Sequence, residues 1–504
     1  MTDRTSPGAL ELIEAVLDTG SWVRWDEPIA ALPADPAYAA ALQKARDRTG
    51  LDEAVVTGEG RMRGRRVAVV ACEFAFLAGS IGVQAADRLV AAVERATDER
   101  LPLLASPTSG GTRMQEGTVA FLQMVKITAA IGRHKAAGNP YLVYLRNPTT
   151  GGVLASWGSL GHLTVAEPGA LIGFLGPRVY KALYGEDFPA GVQTAENLLA
   201  HGIVDAVLPP EEIPQILDRA LAVLSAPRSG SPDVEPSTAD ADVPREELEA
   251  VSAWDSVRRS RRPDRPGVRQ LLRQGAHDVV PMRGTGAGEI DAGLILALAR
   301  FGSAPCVVLG QDRQNQTFGR PLGPAGLREA RRGMRLADEL KLPLVTVIDT
   351  AGAALSQDAE EGGLAGEIAR SLQDLVLLDA PTVCLLMGEG AGGGALALLP
   401  ADRVVCAQHA WLSPLPPEGA SEIIHRTVER APEMAEQQGV RSADLLRAGI
   451  VDRVVAERPD AADEPSAYLQ RVARVLEAEL TALLRRDPQT RLAARLSRYR
   501  TLGT

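Results

Sequence analysis

Aromatic residues, cysteines and long apolar runs are scarce in this chain, and each shortage removes a class of function. Aromatics make up 4% of the 504 residues, too few for the stacking platforms that bind single-stranded nucleic acid. The four cysteines, Cys72, Cys306, Cys384 and Cys406, include no CxxC pair. That argues against a zinc ribbon, and their low density argues against a disulfide framework. Three of them lie in apolar, strand-like runs, where cysteine acts as a small hydrophobe. No signal peptide or membrane span stands out, so a cytoplasmic location is expected. The formal net charge of −10 counts against general affinity for nucleic acid or anionic membranes. Also missing are a GxxxxGK(S/T) phosphate loop, a GxGxxG with the right strand, helix and downstream acid, and a GxSxG elbow at the turns. Gly284-Thr285-Gly286-Ala287-Gly288 has the wrong flanks for a dinucleotide fingerprint.

What the chain does contain is a repeat. Ala195-Glu196-Asn197-Leu198-Leu199-Ala200-His201-Gly202-Ile203-Val204-Asp205 returns as Ser442-Ala443-Asp444-Leu445-Leu446-Arg447-Ala448-Gly449-Ile450-Val451-Asp452. Upstream of each stands a glycine turn after an apolar run, Thr150-Gly151-Gly152 and Gly390-Ala391-Gly392-Gly393-Gly394. Further upstream stands another, Ser109-Gly110-Gly111-Thr112 and Asp349-Thr350-Ala351-Gly352-Ala353. Three matched elements in one order predict two copies of one fold, with two related sites that suit transfer of a group between two substrates.

The length is comfortable for two domains. Residues 1–54 read as an arm of short helices and loops. Residues 55–225 alternate short apolar runs, glycine turns and helices, which predicts α/β layering. Strands are expected over 67–71, 101–105 and 141–145, and an amphipathic helix over 85–97. Residues 226–268 read as a linker and connecting helix, rich at first in Ser, Pro, Asp and Gly and ending in the basic cluster Arg258 to Arg262. A second α/β unit fills 269–504, with a closing helix over 466–486 and a basic, frayed end.

Backbone N–H groups at a helix start lack intrahelical partners and carry partial positive charge. A glycine turn there lets a ligand come close, and a carbonyl that becomes an enolate would find an oxyanion hole. Glycine pairs can also serve only tight strand-to-helix packing. Their repetition in both halves favours the binding reading.

The first half resembles the β subunit of bacterial acetyl-CoA carboxylase carboxyltransferase. The matching stretches are Glu73 to Gly82, Ser109-Gly110-Gly111-Thr112-Arg113-Met114-Gln115-Glu116-Gly117, Pro148 to Val153 and Ala166 to Phe174. The second half resembles the α subunit of the same enzyme, through Ala253-Trp254, Leu342 to Ala353, Glu389 to Ala397 and Pro417-Glu418-Gly419-Ala420-Ser421. The chain therefore looks like a β–α fusion. The resemblance implies two tandem crotonase-like ββα-spiral domains, acyl-CoA on the first and biotin on the second. It implies transfer of a carboxyl group from carboxybiotin to the α-carbon of acetyl-CoA or a related acyl-CoA, to give malonyl-CoA. No side chain is firmly the general base in that family, which fits the absence of an obvious acid–base pair here.

By the same resemblance, the backbones of Gly151, Gly152, Gly393 and Gly394 would form oxyanion holes. Gly110, Gly111, Arg113, Gly352, Ala353 and Gly419 would bind substrate. Arg113 could reach a CoA phosphate or pair with Glu116, Gln115 and Glu116 read as loop holders, and His162 reads as a hydrogen-bonded core histidine. The cluster Arg258 to Arg262 could contact CoA phosphates or a carrier, or form a solvated face. The four-cysteine zinc ribbon usual in β subunits is missing, so no zinc and no other metal is expected. Asp349-Thr350-Ala351-Gly352 stands in place of the usual Asp-Thr-Pro-Gly, a change that could mark a different acyl substrate or a specialised pathway. Biotin carboxylase and biotin carboxyl carrier functions would come from partner proteins. Family sites form between β-type and α-type domains of different protomers, so a homo-oligomer is expected. The alternatives are a biotin-independent malonate decarboxylase fusion, a sodium-pump-type decarboxylase component and a non-catalytic scaffold of the same fold.

Overall fold

The computed structural model describes residues 7–30, 32–226, 238, 240–317 and 319–500. They fall into two compact units, Met1–Leu221 and Ala222–Thr504. The expected linker lies largely outside the described residues, and the segment after it forms two short helices, Arg245–Ala250 and Ala253–Ser260.

Among the described residues the first unit has nine strands: β1 (Val23–Arg24), β2 (Val55–Met62), β3 (Arg65–Cys72), β4 (Leu103–Ser106), β5 (Tyr141–Leu145), β6 (Thr149–Thr150), β7 (Leu163–Ala166), β8 (Ile172–Gly173) and β9 (Ala206–Val207). Seven form one sheet in the order β1-β2-β3-β4-β5-β7-β9, while β6 and β8 pair separately. The edge strands β1 to β3 are antiparallel. From β3 onward the pairing is parallel. Strands β4, β5 and β7 are buried along their whole length, as a parallel sheet covered on both faces requires. The helix Val83–Asp98 packs Leu89 and Val93, and the helix Gly117–Ala136 packs Ile127 and Ile131, into one core with Val70, Leu103 and Val143.

The second unit repeats the plan with β10 (His277–Met282), β11 (Leu294–Phe301), β12 (Ala304–Gln311), β13 (Leu344–Thr350), β14 (Thr382–Ala391), β15 (Arg403–Ala407), β16 (Trp411–Ser413) and β17 (Arg453–Val455). Its order is β10-β11-β12-β13-β14-β15-β17, with β16 paired to β14. Again an antiparallel edge leads into a parallel run. This is the α/β duplication that the repeated motifs predict.

Two segments differ from expectation. The arm is more than helices and loops, because β1 adds an edge strand to β2. Its second helix, Pro36–Thr49, starts where Asp35 accepts from the Tyr38 amide at 2.6 Å and stops at Gly50, which has φ 68°. The basic segment expected to fray is a helix over Pro488–Arg500, and the residues after it, 501–504, lie outside the described residues. Buried Arg495 explains the helix: its guanidinium meets both oxygens of Asp402, at 2.9 and 2.7 Å, and donates to the carbonyls of Leu375, Leu378 and Ala380. Four carbonyl and carboxylate partners hold a charge inside the fold that would otherwise be costly to bury.

Candidate active site

In the first unit the two glycine turns lie backbone against backbone. The amide of Ser109 donates to the Pro148 carbonyl at 2.7 Å, and the Thr150 amide donates to the Ser109 carbonyl at 2.9 Å. A Cβ on Gly151 would stand 3.3 Å from Gly111 Cα, an approach that side chains at this turn would hinder. Gly151 has φ +67° and Gly111 has φ +106°, conformations that suit glycine. Three of the four glycine amides already have acceptors. Gly110 donates to Ala78 O at 2.9 Å, Gly151 to Phe174 O at 2.9 Å and Gly111 to Ser109 Oγ at 2.9 Å. The Gly152 amide has no protein acceptor among the described residues, and neither has that of Val153. Of these four glycines only Gly152 therefore presents an unengaged N–H among the described residues, whereas Gly110, Gly111 and Gly151 spend theirs within the turn.

Arg113 points into the fold. Its side chain is 1% exposed and forms a two-point pair with Glu53 at 2.8 and 2.5 Å, and Nη2 donates to Ser80 O at 2.7 Å. Burial works against its charge, but the Glu53 hydrogen bonds outweigh it and hold the guanidinium above its ordinary range. The arm completes the cluster. The Tyr38 hydroxyl donates to Glu116 Oε1 and accepts from Arg113 Nη1, and Glu116 Oε2 accepts from the Val83 amide at 2.6 Å. Burial and Glu116 together push the Tyr38 hydroxyl up to about 12. Arg113 thus anchors the loop 109–117 rather than reaching a phosphate, and Glu116 is a loop holder as expected. His162 is a buried core residue whose Nδ1 accepts from the Tyr141 amide at 2.9 Å.

In the second unit the matching turns follow β13 and β14. Thr350 pairs with Gly390 in parallel register. Gly392, with φ +64°, opens the short helix Gly392–Leu396. A Cβ on Gly394 would stand 3.1 Å from the Ala353 amide nitrogen and 3.4 Å from the Gly352 carbonyl carbon. The structure therefore brings Gly352, Ala353 and Gly394 together. The Gly352 amide is engaged by Thr350 Oγ1 at 3.1 Å. The amides of Gly393 and Gly394 lie in the first turn of the helix Gly392–Leu396, where N–H groups have no intrahelical i−4 partner. Gly419 sits in the first turn of the helix Pro417–His425. The adjoining Glu418 is tied to the site by Arg261, which donates to Glu389 Oε2 at 2.8 Å and to Glu418 Oε2 at 3.2 Å.

A cavity of about 480 Å³ lies beside these turns, lined by Arg261, Arg313, Gln316, Asp349, Thr350, Gly352, Ala353, Leu355 and Glu389 among others. That volume suits a small organic ring system. Asp349 is buried at its floor: Oδ1 accepts from the Glu389 amide at 3.1 Å and from Arg313 Nη1 at 3.3 Å. Burial raises its carboxyl above the ordinary value, with Arg313 and Arg265 only partly offsetting this. The basic cluster is mostly paired within its own unit. Arg259 donates to Pro459 O, Arg261 pairs with two glutamates, and Arg262 meets Asp264 and Asp463. Of the cluster, Arg261 alone lines the cavity. Sequence reading missed Glu53, Tyr38, Gln311 and Arg313, whose partners at the site lie 36 to 83 residues away. Among the described residues no group of three or more His, Cys, Asp or Glu is placed to hold a metal ion, and no helix is long and apolar enough to cross a membrane.

Comparison with known proteins bears on this geometry. The family model described as carboxyl transferase domain matches residues 4–492. The probable biotin-dependent acyl-coenzyme A carboxylase beta3 subunit of Mycobacterium tuberculosis is 62% identical over 493 residues, covering 98% of each chain. The acetyl-coenzyme A carboxylase carboxyl transferase subunits beta/alpha of Salinispora arenicola are 38% identical over 491 residues, covering 95% of this chain and 86% of that one. Among solved structures, transcarboxylase 12S, a hexamer crystallised with hydrolysed methylmalonyl-coenzyme A, superposes with a TM-score of 0.69 at 20% identity. The alignment covers 92% of this chain and 89% of that one. This likeness establishes the crotonase-like fold.

Proposed function

The chain belongs to the carboxyl transferase domain family as the carboxyltransferase of a biotin-dependent acyl-CoA carboxylase, and we propose that it carboxylates the α-carbon of acetyl-CoA or a related acyl-CoA. The carboxyl group arrives on biotin borne by a carrier protein, as a substrate. Malonyl-CoA or its homologue is the product.

The observation that carries this reading is the pairing of unoccupied backbone donors with a duplicated turn. Gly152 in one unit holds an N–H without a protein acceptor among the described residues, and Gly393 and Gly394 in the other stand in the first turn of the helix that follows β14, where amides lack intrahelical partners. Carboxyl transfer develops negative charge on two oxygens, that of the thioester and that of the ureido ring. Fixed backbone donors stabilise such charge without reorganising, and each is worth about 3 to 4 kcal/mol of barrier. We assign the thioester to the Gly152 turn and the ureido ring to the Gly393–Gly394 turn beside the 480 Å³ cavity. Gly110, Gly111 and Arg113 then act by fixing the first turn, and Gly352, Ala353 and the Gly419 helix by framing the second.

The enzyme would work as a cytoplasmic homo-oligomer with a biotin carboxylase and a biotin carrier as partners. Exposed apolar side chains support assembly: Met114, Val119, Phe121, Leu122 and Val125 in the first unit, and Ile423, Ile424 and Val428 in the second. Apolar patches of this kind mark interaction surfaces. The test is the reverse reaction, with malonyl-CoA and free biotin or biocytin, following acetyl-CoA. Biotin-dependent turnover supports the proposal. Turnover with methylmalonyl-CoA alone keeps the chemistry and changes the substrate. Decarboxylation without biotin would replace the proposal with a malonate decarboxylase, and no turnover with any of them would favour a scaffold.

A further inference from the structure

We propose that Gln311 is a positioning residue of this reaction, holding the Gly393–Gly394 turn in register with the end of β13. The inference rests on the assignment of that turn to the biotin side. Gln311 is the last residue of β12 and is fully buried. Its side-chain amide is used at both ends. Nε2 donates to Gly394 O at 2.6 Å, and Oε1 accepts from the Asp349 amide at 3.1 Å. One side chain on β12 therefore ties the chain leaving β14 to the end of β13.

The turn needs such an anchor. The carbonyl of Gly394 takes no helical bond, because the Leu398 amide that would reach it donates to Ala395 O instead, at 3.1 Å. Gly392, Gly393 and Gly394 have no side chains to fix them, and glycine is the most mobile of residues. Because the peptide unit is planar, holding Gly394 O also holds the plane of the peptide that follows and limits rotation of the turn. An amide side chain donates to a carbonyl through its nitrogen and accepts from an N–H through its oxygen, at one point and without a charge. An ionised glutamate would accept from Asp349 but turn a second oxygen on Gly394 O. Methionine would fill the space and make neither bond. A glutamine buried at the end of the apolar strand Ala304–Gln311 is tolerable only because both ends are satisfied.

The experiment compares wild type, Gln311→Met and Gln311→Glu in the biotin-dependent decarboxylation of malonyl-CoA, with melting curves alongside. Misplacing a donor by a fraction of an ångström costs on the order of 10- to 100-fold in rate. Gln311→Met is expected to lose about that much kcat while KM for malonyl-CoA stays within about threefold, since the acyl-CoA turn is not touched. Gln311→Glu is expected to be equally slow at high pH and to recover, relative to wild type, as pH falls and the protonated carboxyl regains its donor. The titratable groups around it are Asp349, whose amide it accepts from, Glu389 and Arg313, which both bond to Asp349 Oδ1, and Asp312 next along the chain. The neighbouring carboxylates favour the protonated form of an introduced glutamate, and the wild-type profile corrects for their own titration. A Met variant with wild-type kcat would overturn the inference. So would a Glu-to-wild-type ratio that is flat with pH, which is what lost packing alone would produce. An inactive wild type would overturn the functional reading itself, and needs no variant to be seen.

Discussion

Replacing Gly394 tests the second oxyanion turn, and Gly152 supplies an internal comparison. A methyl group on Gly394 would stand 3.1 Å from the Ala353 amide nitrogen and 3.4 Å from the Gly352 carbonyl carbon. Both are backbone atoms, so relief requires one turn to move off the other by a few tenths of an ångström. A methyl group on Gly152 would stand 3.3 Å from Met124 Cγ and 3.3 Å from Thr112 Oγ1. Those are side-chain atoms, and methionine adapts easily. Loss of one oxyanion donor costs about 100- to 1,000-fold in kcat. Gly394→Ala is therefore expected to lose on the order of 100-fold, by displacement, and Gly394→Val to be inactive. Gly152→Ala should lose clearly less, and Gly152→Val, whose extra methyls reach beyond Met124, should approach the Gly394 variants. Overpacking costs roughly 1–3 kcal/mol of stability, so all four should stay folded. The assay is single-turnover carboxyl transfer from malonyl-CoA to biocytin, with a thermal melt for each protein. Near-normal rates in folded Gly394→Val would refute the assignment. A larger loss in Gly152→Ala than in Gly394→Ala would refute the steric argument.

Arg113→Met leaves Glu53 buried without its cation and is expected to destabilise the fold by about 3–5 kcal/mol. Adding Glu53→Gln should restore part of that in a denaturant melt, and no recovery would show that the pair does not hold the loop. Glu329 is buried, and burial pushes its carboxyl from 4.5 to about 7. A folded value raised in an acid means that its stability contribution is complete below about 4.5 and is lost as pH rises through about 7. Glu329→Gln should thus raise the melting temperature at pH 8 and flatten its pH dependence between those values, and an unchanged slope would dismiss burial as the cause. Val125→Glu, on the exposed apolar helix face, should shift the protein to a smaller species in light scattering, whereas an unchanged mass would place the interface elsewhere.

The duplication and the sheet were legible because both depend on local pattern. The run 141–145 is fully apolar and forms β5 as expected. The helix expected over 85–97 forms as Val83–Asp98, with its apolar face in the core. Glycine turns announced where the strands would stop. What was not legible depends on partners distant in the chain. Arg113 beside a glycine turn invites a phosphate, and only Glu53, sixty residues earlier, shows that the guanidinium is occupied. Gln311 closes an apolar run and looks like a strand end, because Gly394 is 83 residues further on. The C-terminal arginines read as a frayed end, since Asp402 and three carbonyls that bury Arg495 come from elsewhere in the second unit. Charged and amide side chains are ambiguous in sequence for a physical reason. Their burial is tolerated only with partners, and partners are a property of the fold.

The two turns are copies in the backbone but not in how they are held. In the first unit the turn is braced by backbone hydrogen bonds between Ser109, Pro148 and Thr150, and by the Arg113–Glu53–Tyr38 cluster supplied in part by the arm. In the second, the brace is a set of side chains at strand ends: Gln311 on Gly394, Arg313 on Asp349, and Arg261 on Glu389 and Glu418. Duplication explains why the donors recur, since an N–H at a strand-to-helix turn needs no particular side chain. It leaves the bracing free to diverge if, as proposed, each copy fits a different substrate. The braces are therefore where substrate preference should be encoded, and exchanging Gln311 or Tyr38 should alter rates without altering the fold that both copies share.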